Sequence, residues 1–181
     1  ANAVHLKPDI AAPGDAITSA ASGTGNGAVT YGGTSMASPH VAGVMALLVE
    51  DNPGWSVTEL KALVMNTATH DLFTGNNQTG DNYGPARVGA GRVDAGTAVT
   101  SEVIAYNTAS PELVSVSFGV FDVLTSTTKN ATITVKNKST TETLNYNVAY
   151  DSFVDMPGVS VSVTPSSVSL LPGATASLSV T

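Results

Sequence analysis

Gly33-Thr34-Ser35-Met36-Ala37-Ser38-Pro39-His40-Val41-Ala42-Gly43 sets one serine, Ser35, where a glycine turn runs into a long apolar segment. A helix beginning there directs its free backbone N–H groups and its positive dipole end at the serine. Negative charge developing on a substrate oxygen beside Ser35 would be stabilised by such donors. From Ser35 to about Glu50 apolar residues occupy nearly every side, which predicts a helix buried all round. Pro39 falls in its first turn, where a missing N–H is tolerated.

Working outward, Lys7-Pro8-Asp9-Ile10-Ala11-Ala12-Pro13-Gly14 has a short apolar core closed by Pro-Gly, which predicts a strand ending in a turn. A polar, glycine-rich loop from Ser22 to Gly27 precedes Tyr31. Ser56-Val57-Thr58-Glu59 fits a capping box and predicts a second helix to about Thr67, with Leu60, Leu63 and Val64 on its apolar face. Residues 68–87 are expected to be loop. Gly89-Ala90-Gly91-Arg92-Val93-Asp94-Ala95 reads as a tight glycine turn feeding a short helix. Residues 1–100 are therefore expected to form an α/β domain.

After about Ser101 the helical period gives way to alternation. Val114–Phe118, Ala131–Val135, Leu144–Val148 and Val159–Val163 each read as a strand with one wet face. Residues 101–181 are expected to form an all-β sandwich of roughly six strands, one short of the usual number and so incomplete.

Composition narrows the function. The hydrophobic share of 42% suffices for a globular core, whereas the charged share is only 12%, about half the usual value. Ser, Thr, Asn and Gly supply the polarity instead, a surface more common outside cells, so a secreted location is expected. Seven basic residues and a net charge of −7 argue against a nucleic-acid partner. The longest apolar stretch, Val41–Val49, is too short to span a bilayer. The chain has no cysteine, so neither disulfides nor thiol chemistry arise. No charged n-region with an apolar core opens the sequence, and the chain is expected to begin inside a longer one.

Four segments, in order, resemble the subtilisin-like serine proteases: the serine run, Lys7–Gly14, Asn52-Pro53-Gly54-Trp55-Ser56 with Leu60 and Leu63, and Gly89–Ala95. The resemblance implies that residues 1–100 are the C-terminal part of a parallel-sheet catalytic domain. Thr164-Pro165-Ser166-Ser167-Val168 and Leu171-Pro172-Gly173-Ala174 resemble late strands of the fibronectin type III-like modules that follow some members. Residue by residue, it implies that Ser35 is the nucleophile and that its N–H is one oxyanion donor. Thr34 would be the adjacent assisting hydroxyl. Met36 would be the exposed thioether beside the nucleophile, and Tyr31 would lie on the leaving-group side of the cleft, with an ordinary loop tyrosine as the even alternative. The substrate class would be protein or peptide, with no cofactor.

A serine hydroxyl needs a neighbouring base. The 34 residues before Ser35 contain neither the Asp-Ser/Thr-Gly strand end nor the His-Gly-Thr-His helix start that carry the family's other two triad members. His40 lies roughly 140° around the helix from Ser35 and cannot face it; it is expected to be structural, within the buried helix. His5 and His70 lack any motif. Asp9 aligns near a weak cation site of some relatives, but one carboxylate makes no calcium site, so no metal is expected. The serine run lacks the second glycine of a Gly-x-Ser-x-Gly elbow, so an α/β-hydrolase is not supported. Asn77-Gln78-Thr79, Asn130-Ala131-Thr132 and Asn137-Lys138-Ser139 fit the glycosylation pattern at a frequency chance explains.

The leading expectation is a secreted serine endopeptidase whose upstream half, as partner, supplies aspartate and histidine, this chain alone being inactive or nearly so. The alternative is a non-catalytic surface or interaction protein with a β-sandwich binding module. A third expectation is a nicked two-chain protease whose apolar faces in residues 1–100 are covered by the bound upstream half.

Overall fold

The computed structural model describes residues 6–154 and 156–181, so His5 lies outside the described residues. An extended segment through Ile10 and Ala11 is followed by a hairpin, β1 (Ile17–Ala20) and β2 (Ala28–Tyr31). The glycine-rich loop turns between the two strands, with the Thr24 hydroxyl accepting the Gly27 N–H. The serine helix α1 spans Thr34–Asp51 and α2 spans Val57–Asn66. The capping box of α2 is formed as expected. The Glu59 N–H donates to Ser56 Oγ at 3.2 Å, and the Ser56 N–H donates to Glu59 Oε2 at 2.9 Å.

Residues 68–87, expected to be loop, contain a hairpin of β3 (Phe73–Gly75) and β4 (Thr79–Asn82), then a short helix α3 (Pro85–Val88). The strands are too short and polar to show a period. The glycine turn then feeds α4 (Ala95–Thr100), whose first turn is capped by the Asp94 carboxylate. Gly91 is required there. Its φ is +119°, and a Cβ on it would stand 2.3 Å from the Thr69 carbonyl oxygen. The expected strand at Lys7–Gly14 is reduced to isolated bridges, Ile10 to Gly89 and Ala11 to Arg92.

The remainder is β5 (Val103–Asn107), a 3-10 turn at Pro111–Leu113, and β6 (Ala131–Asn137), β7 (Leu144–Asn147), β8 (Val163–Thr164), β9 (Ser167–Leu170) and β10 (Thr175–Val180). They form an antiparallel sheet in the order β5-β6-β10-β8 and a two-stranded sheet of β7 and β9. Val135, Leu170 and Leu178, drawn from both sheets, share one apolar cluster. Val114–Phe118 is not a strand: Val114 follows the 3-10 turn at φ +65°, and the residues after it pair with no strand. Of Val159–Val163 only Val163 is in a strand, β8.

A second cluster joins Leu48 of α1, Leu60, Ala62, Leu63, Val64 and Met65 of α2, Val93, Ala98 of α4, Ile104 of β5, and Val114. The expectation that α1 is buried all round is overturned. Leu48 is fully buried and Val44 and Met45 are partly so, while Leu47 is 54% and Val49 53% exposed. An apolar periodicity records which sides of a helix tolerate cover; here α2 and α4 pack along one side only.

Candidate active site around Ser35

The turn before α1 is fixed by backbone contacts. The Gly33 N–H donates to the Gly14 carbonyl at 2.6 Å, and the Gly33 carbonyl accepts the N–H of Met36 at 3.0 Å and of Ala37 at 3.4 Å. Gly33 sits at φ +145°, which a side chain would strain, and gives α1 a cap with no side-chain bond. The chain thus reverses sharply and presents Thr34 and Ser35, both exposed, at the helix start. Among the described residues no hydrogen bond takes up the Ser35 N–H. It is left at the positive end of an 18-residue helix, where an oxyanion would be stabilised.

Met36, the third residue of α1, is half-buried rather than exposed. Tyr31 ends β2 opposite Ile17 and is 58% exposed. Asp15 also reaches the rim of the turn: its Oδ1 would lie 3.2 Å from a Cβ placed on Gly32. Sequence reasoning passed over it because no motif marks it.

No base is brought to Ser35 among the described histidines. His40 turns its Nδ1 to the Met36 carbonyl at 2.8 Å, and it is exposed rather than buried, since it stands on the uncovered side of α1. His70 packs on the Phe153 ring, with centroids 4.0 Å apart.

The acids of this region are already engaged. Asp9 pairs with Lys7 at 2.6 Å and with Lys61 at 3.3 Å. Partial burial raises its pKa, but hydrogen bonds from the two lysines outweigh that and hold the carboxyl below its ordinary value. Asp71 receives two hydrogen bonds from the Arg92 guanidinium, which bring its pKa to about 2. Among the described residues no cluster of His, Asp and Glu has the arrangement of a metal site. Hollows of about 320 Å³ beside Tyr150 and Val161 and of about 330 Å³ beside Lys136 and Pro172 do not include Ser35.

A serine carried on a glycine turn at a helix start, layered on further helices, defines a candidate nucleophile site. Residues 2–91 match the subtilase family. The chain is 38% identical over 140 residues to the minor extracellular protease Vpr of Bacillus subtilis, covering 74% of this chain and 16% of that protein. It is 38% identical over 121 residues to the subtilisin-like protease SBT1.9 of Arabidopsis thaliana, covering 61% of this chain and 15% of that one. Over 62 residues it is 48% identical to the alkaline elastase YaB of a Bacillus strain, covering 34% of this chain and 16% of that one.

These matches support the subtilase family for this chain, a family of serine proteases. The match to Vpr reaches past the family-matched stretch into the β region. The chain spans only about a sixth of the length of these relatives. Two relatives are extracellular or secreted by name. No helix among the described residues is long and apolar enough to cross a membrane.

Proposed function

We propose that this chain carries the nucleophile part of a secreted, subtilisin-like serine endopeptidase. Ser35 attacks the scissile carbonyl of a protein or peptide substrate and forms an acyl-enzyme that water hydrolyses. The Ser35 N–H donates to the oxyanion, Thr34 assists it, and Met36 and Tyr31 border the cleft. The observation that carries this reading is the exposed Ser35 at the start of α1, its N–H free of any described partner, within the subtilase-matched stretch.

Residues 1–100 form the C-terminal part of the catalytic domain, and residues 101–181 a fibronectin type III-like β module. An upstream half supplies the aspartate and histidine and covers the exposed side of α1, where Leu47 and Val49 stand. The engagement of His40 with the Met36 carbonyl supports inactivity of the chain alone, and the same observation favours the second reading, a non-catalytic interaction protein.

A fluorophosphonate probe, which reacts with an activated serine, separates the two. The chain alone should not label. After the upstream half is supplied it should label at Ser35, and Ser35→Ala should not. Persistent failure to label in the reconstituted protein would favour the non-catalytic reading, and labelling that survives Ser35→Ala would sink the mechanism.

A further inference from the structure

The core beneath the serine helix reaches the first C-terminal strand, β5, whose other face borders the separate core between the two sheets. Leu48 of α1, Leu63 of α2 and Ile104 of β5 are each fully buried within the same cluster. Strand β5 is apolar on both faces: Ile104 and Tyr106 pack on the helices, while Val103 and Ala105 pack on the core between the two sheets. Only Ser101 and Glu102 separate α4 from β5.

Polar contacts flank this core. Glu59, in the first turn of α2, accepts from Lys136 Nζ at 2.9 Å and from Lys138 Nζ at 2.7 Å, both reaching it from the end of β6. The Lys138 ammonium also stands 4.5 Å from the centroid of the Trp55 ring. Lys61 donates to the Glu112 carbonyl at 2.9 Å, and Asn66 Oδ1 accepts the Ala105 N–H at 2.6 Å. Farther round, the Phe153 ring packs on the exposed His70.

A recruitment arm held on a flexible tether would leave few contacts across its boundary. Here separation would bare Ile104 and Tyr106 and leave Glu59 without either ammonium. We propose that residues 102–181 are a built-in stabilising partner of the serine-bearing layer, locked to it by Glu59, Lys136 and Lys138, so that α1, α2 and the C-terminal sheets open as one cooperative unit. This goes beyond the protease reading and holds whether or not Ser35 is catalytic. It gives the β region a defined role: changes there reach the helix that presents Ser35 through α2.

Native-state hydrogen exchange on the full chain tests it. Amides of α2 (Leu60 to Met65) and of the paired strands β6 and β10 should share one opening free energy. Glu59→Gln keeps the capping box, since glutamine serves at that position, but removes the charge facing the lysines. It should speed exchange in both sets by the same factor, roughly tenfold or more. Different protection of the two sets in the unaltered chain, or acceleration confined to α2, would overturn the proposal. Should Glu59→Gln fail to fold, Ile104→Val removes one methylene from the contact of β5 with α2 and should again speed both sets equally. Acceleration of one set alone by that variant would overturn the proposal as well.

Discussion

Acid should weaken this chain in a way that can be assigned to Glu59. Burial pushes the Glu59 carboxyl up, but hydrogen bonds from Lys138, the Ser56 N–H and Lys136 outweigh it and bring its pKa from 4.5 to about 2. The side chain is 17% exposed, so little solvent screening intervenes. A depression of that size corresponds to about 3 kcal/mol of folding free energy. Because the folded-state pKa is the lower one, the contribution is complete well above 4.5. It is lost as pH falls from there through about 2. Urea unfolding of the unaltered chain and of Glu59→Gln, from about pH 6 down to about pH 2, isolates this group, since glutamine does not titrate and other acids cancel in the comparison. The stability gap between the two should shrink by about 3 kcal/mol across that range, with most of the change below about pH 4.5. A gap that stays constant with pH would refute the reasoning, because the lysines would then not be holding a charged Glu59.

Asn137→Ala should cost about 2–4 kcal/mol in urea unfolding. The Asn137 side chain is fully buried, and its NH2 is shared among the carbonyls of Glu142, Leu170 and Leu171; in the variant Leu171 keeps the Ala174 N–H, while Glu142 and Leu170 lose this donor. A loss below about 0.5 kcal/mol would mean those carbonyls find other partners. Ser56→Ala removes the acceptor of the Glu59 N–H and should cost about 1 kcal/mol, read as a lower thermal midpoint. Gly14→Ala would place a Cβ 2.8 Å from the Gly33 carbonyl oxygen and 3.3 Å from Ala37 Cβ, and should cost about 1–3 kcal/mol. An unchanged midpoint in that variant would show that the serine turn is not packed as described.

What the sequence by itself determined are the features written in neighbouring residues. The capping box at Ser56 and Glu59, the glycine turn into α1, the Gly91 turn into α4, and the alternating strands at Ala131–Asn137 and Leu144–Asn147 each depend on contacts within a few positions or on a simple period. The placement of Ser35 at an exposed helix start belongs with them.

The tertiary structure decided the rest. Val103-Ile104-Ala105-Tyr106 shows no alternation because both of its faces are buried, so β5 carries no wet face to mark it. Val114–Phe118 alternates well and still forms no strand, because a strand needs a partner to take its backbone hydrogen bonds. The all-round apolar pattern of α1 could not say which of its sides would be covered. Glu59 meets Lys136 and Lys138 across more than seventy residues of chain. A pair of opposite charges that distant has no signature in sequence order; only the packing of α2 against β5, with β6 paired beside it, brings them within reach.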